Sequence, residues 1–177
     1  MDAPACPCHD HARRAALRAG FGLGAAVALA PESARAAPAG AAYDSLLLSC
    51  IDPRMVDPVF RYMHWRGLDG RYSQVVLAGA ALGIEAPAFA AWRQTFWDNL
   101  DASIALHRIT RVIAINHQDC GAARIAHGAD SIATPEAEKR LHQRVLTEFK
   151  AEVVTRYPGL RVEGLLMGLD GAVTVLA

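Results

Sequence analysis

The chain has no excess of either charge. Its 177 residues carry 18 Lys and Arg against 18 Asp and Glu, so nothing electrostatic points to nucleic acid or an anionic membrane as a partner. It also lacks a long apolar run. The longest weakly apolar stretch, from Ala19 to Ala30 and broken by Gly20, Gly22 and Gly24, is too short to span a bilayer. No internal repeat or low-complexity tract occurs beyond the alanine-rich leader. Cysteine is scarce: there are four, and Cys6 and Cys8 lie in that leader beside His9. With hydrophobic residues at 53%, there is material for a buried core and room for one domain. The near-zero net charge suits a small neutral or singly charged substrate.

Residues 1–36 have the composition of an export signal and are set apart from fold reasoning. Arg13-Arg14 precede the apolar run, and small residues follow at Ala34-Arg35-Ala36. The string Ala12-Arg13-Arg14-Ala15-Ala16-Leu17-Arg18 resembles a twin-arginine signal, which implies a periplasmic or otherwise exported protein with no stable membrane association afterwards. A basic tail without fixed structure is the competing reading. Cleavage after Ala36 leaves 14 basic and 15 acidic residues, so the mature chain stays nearly neutral. It also removes Cys6, Cys8 and His9, to which no mature function is assigned.

Residues 42–177 alternate short apolar runs with segments of helical period, the pattern of crossover units that build a parallel sheet. Strands are expected over residues 45–51, 72–78 and 111–116, with two more over 160–169 and 172–176. Asp170-Gly171 is a hairpin turn signal between the last two. Helices are expected within 53–66, ahead of Gly67, over 88–107 and over 135–157. In the second helix Phe89, Trp92, Phe96, Leu100, Ile104 and His107 recur every three or four residues. The third begins with Thr134 as N-cap and Pro135 in its first turn. The fold class is therefore α/β: a mainly parallel sheet of about four strands plus an antiparallel C-terminal strand, flanked by helices, in one domain.

Two strings carry the chemistry: Cys50-Ile51-Asp52-Pro53-Arg54 after the first strand and His117-Gln118-Asp119-Cys120-Gly121 after the third. Parallel sheets place ligands beyond the carboxyl ends of their strands, so adjacent first and third strands would deliver Cys50, His117 and Cys120 to one rim. Two thiolates and one imidazole form a three-ligand set for Zn²⁺ with an open fourth position, as in a catalytic site; structural zinc sites close all four positions. The competing reading is a Cys50–Cys120 disulfide, because an exported protein meets an oxidising compartment. That reading gives Asp52, Arg54 and His117 no reason to stand beside the cysteines. Gly79 and Gly83, after the second strand, are expected to form a loop wall near the rim, and Gly121 to border the substrate pocket with Gly79. Asp119 is open between orienting a ligand and being a solvated loop carboxylate. His64, His107, His127 and His142 are left without a role.

The CxDxR and HxxC-Gly strings, with Val75-Val76-Leu77-Ala78-Gly79 and the segment from Val162 through Gly171, resemble the β-class carbonic anhydrases across most of the mature chain. The resemblance implies Cys50, His117 and Cys120 as zinc ligands and Asp52 with Arg54 as a catalytic dyad. It implies a lyase that hydrates carbon dioxide reversibly to bicarbonate by a zinc-bound hydroxide, in a homodimer. A related hydrolase of carbon disulfide or carbonyl sulfide, and a non-catalytic zinc- or anion-binding relative, stand as alternatives. Leu77 and Ala80 depart from the family's Arg-Asn before, and Asn after, the Ala-Gly pair. The polar pocket groups of that loop are accordingly absent.

Overall fold

Three consecutive leucines between serines build the centre of the molecule, because a strand buried on both faces reads as an unbroken apolar run. In the computed structural model, which describes residues 42–177, this strand is β1 (Ser45–Ser49), buried along its whole length. It lies between β2 (Tyr72–Val76) and β3 (Arg111–His117), parallel to both. β4 (Arg161–Met167) adds parallel to β3, and β5 (Val173–Val175) folds back antiparallel on β4, giving the order β2-β1-β3-β4-β5. The expected α/β class and strand directions are those observed.

Side chains alternate across the sheet with period two. Leu46, Leu48, Val112 and Ala114 face a layer built from α2 (Ala81–Glu85), α3 (Ala90–His107), α4 (Gly121–His127) and α5 (Pro135–Arg156). Leu47, Ile113, Ile115 and Met167 face α1 (Val56–Trp65), which contributes Val59 and Met63. Within the α3 stripe, Phe96 and Leu100 are fully buried. His107 instead pairs with Ser73 of β2 at 2.6 Å, tying helix to strand. The Thr134 hydroxyl accepts the Ala137 N–H at 3.2 Å, capping α5 as expected.

Differences from expectation are local. β1 and β2 end two residues early, and β3 runs on through His117. α2 and α4 were not foreseen, since five and seven residues are too few to show a helical period. Gly83 consequently lies inside α2 and not in a loop wall. The segment expected to be an export signal, with Cys6, Cys8 and His9, lies outside the described residues. Among the described residues no helix is long and apolar enough to cross a membrane.

Glu85 closes α2 with one carboxylate oxygen buried and unpartnered. Burial, reinforced by Glu152 and Glu148, pushes its pKa up from 4.5 to about 7, against the opposing pull of Arg93. Between these values the unfolded chain has released the proton and the folded chain retains it, so stability falls as pH rises through the window. Glu85→Gln is therefore expected to match the parent at pH 4 and to exceed it at pH 8 by on the order of 2 kcal/mol. Urea unfolding at both pH values checks this; an equal difference at the two would refute it.

Candidate metal centre

Two of the candidate ligands sit where strands stop and the third where a helix begins. Cys50 follows β1, His117 ends β3, and Cys120 is the N-cap of α4. Because β1 and β3 are hydrogen-bonded neighbours, all three reach the same rim, buried at 8%, 1% and 2% exposure. Their sulfur and nitrogen atoms lie within 4.8 Å of one another. Both cysteines are free, so the disulfide alternative is not the arrangement seen.

The polar atoms around this cluster suit a metal ion. His117 Nδ1 lies 2.8 Å from the Gln118 carbonyl oxygen. As a carbonyl only accepts, Nδ1 carries the proton and Nε2 keeps a lone pair. That Nε2 is buried with no hydrogen-bond partner in the protein, which is costly unless something binds it. The Cys50 sulfur accepts the Gly79 N–H at 3.2 Å, from a backbone at φ +81° that favours glycine. The Cys120 thiol, His117 and this N–H hold the Cys50 pKa well below the ordinary thiol value despite burial, whereas the neighbouring Cys50 and burial drive Cys120 up. Burial alone would lower His117, but the negative charge on the neighbouring Cys50 sulfur outweighs it and raises its pKa. A buried thiolate beside an orphaned imidazole nitrogen is a donor set that a soft divalent cation satisfies.

Asp52 and Arg54 stand beside the cluster and form a unit. Asp52 caps the short 3₁₀ turn Pro53–Met55 by accepting the Arg54 N–H at 2.9 Å. The Arg54 guanidinium closes back on it through Nε at 3.0 Å and Nη2 at 2.7 Å. These contacts hold the Asp52 carboxyl down at about 2, so it is an anion at any working pH and can only accept hydrogen bonds. Its Oδ2 lies 3.9 Å from His117 Nε2.

A cavity of about 340 Å³ opens next to the cluster, bordered by Cys50, Asp52, Ala78, Trp92, Gly121 and Ile125. Gly121 lines this cavity. Gly79 reaches the site through its N–H to Cys50. Phe89 and Trp92 stack at this cavity with centroids 4.5 Å apart; their helical spacing had marked them only as core.

Sequence reasoning missed the outer ties of the ligand loop. Asp119 binds Arg54 at 2.9 Å and also pairs with Arg124. Its N–H donates to the buried Glu138 at 2.6 Å. Asn116 accepts the Ala81 N–H at 3.1 Å and donates to His142 on α5 at 3.0 Å. No sequence spacing signals these contacts, because the partners come from different elements.

The fold that carries this site is that of the β-carbonic anhydrases. It resembles the β-carbonic anhydrase CafA of Aspergillus fumigatus with a TM-score of 0.51 at 18% identity, over 77% of this chain and 76% of that one. It also resembles a tetrameric β-carbonic anhydrase of Sordaria macrospora with a TM-score of 0.54 at 14% identity, over 78% and 82%. In sequence, the chain is 33% identical over 129 residues to the uncharacterized protein RC0076 of Rickettsia conorii, covering 73% of this chain and 69% of that protein. The chain belongs to the family of that rickettsial protein. No family model matches it.

Proposed function

We propose that the protein is a zinc lyase of the β-carbonic anhydrase kind, interconverting carbon dioxide and bicarbonate. The observation that carries this reading is the convergence of Cys50, Cys120 and the orphaned His117 Nε2 beside a permanently ionised Asp52. Cys50, His117 and Cys120 would hold the zinc, which when bound supplies a Lewis acid that brings the pKa of water toward neutrality. Asp52 accepts a hydrogen bond from the attacking oxygen and turns its lone pair toward the substrate carbon. Arg54 keeps that carboxylate ionised and oriented. The apolar walls by Ala78, Trp92 and Ile125 suit a linear, uncharged molecule. That apolar character also favours a second reading, hydrolysis of carbon disulfide or carbonyl sulfide.

The same proposal places the enzyme outside the cytoplasm, supported by the Arg13-Arg14 leader composition, and in a homodimer. β2 pairs only with β1 among the described residues, which leaves an open sheet edge. Ile51, Val56, Phe60 and Val76 are exposed near it, bordering one groove and offering an apolar surface to a second copy.

Zinc analysis with stopped-flow hydration of carbon dioxide tests the reading. The parent is expected to carry about one zinc per chain. Asp52→Asn should keep the zinc and lose about 10- to 100-fold in kcat, the usual cost of removing a hydrogen-bonding partner of a metal site. Zinc without hydration would reassign the protein to the sulfur-containing substrates or to a binding role; no zinc would sink the proposal.

A further inference from the structure

Arg54 has more partners than Asp52 alone requires. A guanidinium presents its five N–H groups in one rigid plane. One edge of that plane serves Asp52 through Nε and Nη2. The other reaches the Asp119 carboxylate through Nη1 at 2.9 Å, and Nη2 also donates to the Asp119 carbonyl at 3.1 Å. Arg54 is 45% exposed, and a single exposed ion pair would hold it weakly. The second carboxylate is what gives it a fixed seat. Asp119 is itself fixed three ways: Arg124 binds its other oxygen, Glu138 takes its N–H, and its backbone stands at φ +54° between ligands His117 and Cys120.

We propose that Asp119 is a positioning residue that seats Arg54 and thereby holds Asp52 back from the metal, keeping the fourth coordination position open. This rests on the zinc reading above. Asp52 Oδ2 is only 3.9 Å from His117 Nε2, so a carboxylate released by Arg54 has a short path toward a cation held there. With Asp119 in place, Asp52 cannot make that move without breaking the shared guanidinium plane away from the ligand loop. The ligand loop therefore sets the rotamer of its own neighbouring acid, through a contact spanning 65 residues of sequence.

The test uses the full-length protein loaded with cobalt(II), whose visible spectrum reports coordination, titrated with azide as a probe of the open position. Asp119→Gly suits the left-handed backbone and removes only the carboxylate. Asp119→Asn keeps an acceptor without charge in a conformation that asparagine tolerates. Arg124→Gln loosens Asp119 from an exposed helix position. The expected result is azide affinity weakened about tenfold or more in the glycine variant, an effect of the size seen when groups supporting a metal site are removed. The asparagine variant should be intermediate and Arg124→Gln smallest, all with a parent-like cobalt stoichiometry. Unchanged azide affinity in Asp119→Gly, even with a lowered Tm, would assign Asp119 a structural role and overturn the proposal. Failure of the parent itself to take up cobalt would overturn the metal reading and this inference with it, and is distinguished by appearing without any substitution.

Discussion

Cys120→Ser is expected to strip the protein of metal, with zinc falling from about one per chain to a trace and hydration falling with it to background. The loss follows from the ligand count. A three-ligand site cannot spare a thiolate: Asp52 is tied to Arg54, and serine, with a far higher pKa than a thiol, does not become an anion to replace the sulfur. Binding energies at sulfur-rich zinc sites are about 10–16 kcal/mol, so losing one of three protein donors leaves affinity far below that needed to retain zinc through purification. The fold should survive, because Cys120 contributes one buried sulfur at the edge of a core that is otherwise intact. Metal analysis and circular dichroism on the same sample check both halves. A variant that keeps full zinc would show that Cys120 is not a ligand.

The largest expected loss of stability lies at Gly83→Ala. A Cβ at Gly83 would stand 2.4 Å from the Ala78 carbonyl oxygen, a backbone atom that cannot rotate away. The better helix propensity of alanine returns about 1 kcal/mol, while forcing a methyl group into a packed contact costs about 1–3 kcal/mol and sometimes more. Because the clash is with backbone its cost lies at or above the top of that range, and a net loss of about 2 kcal/mol should lower Tm by roughly 4–8 °C. The displaced carbonyl belongs to the residue before Gly79, whose N–H supports the Cys50 sulfur. Zinc affinity should therefore drop together with Tm. An unchanged melting curve would show that α2 can shift away at no cost.

Much of the architecture is local enough to be read from the chain. β1 is legible because its short apolar run, ended by Asp52-Pro53, is too brief for a helix and reads as a strand buried on both faces. The start of α5 is legible because Thr134 and Pro135 satisfy the first turn by themselves. The hairpin between β4 and β5 is legible because Asp170 and Gly171 form its turn: Asp170 accepts the Ala172 N–H, and Gly171 adopts φ +85°. α2 and α4 were illegible because their short alanine- and glycine-rich strings carry no periodic face. They are helices because tertiary neighbours pack against them: α3 and α5 against α2, and α2 with the short turns Pro87–Phe89 and Ala129–Ile132 against α4.

The candidate site divides along the same line. By itself, the sequence determined the contacts that operate over a few residues: Asp52 capping the turn that carries Arg54, and His117 and Cys120 standing three positions apart. Only the tertiary structure decided that Cys50 and His117 share a rim, since that depends on β1 pairing with β3 across more than sixty residues. It also decided that Arg54 is divided between Asp52 and Asp119, and that His117 Nε2 faces inward without a partner. The physical reason is range. A hydrogen bond between residues two or three apart is fixed by backbone geometry and side-chain reach, whereas a bond between distant residues exists only once packing has chosen the order and register of the strands that carry them.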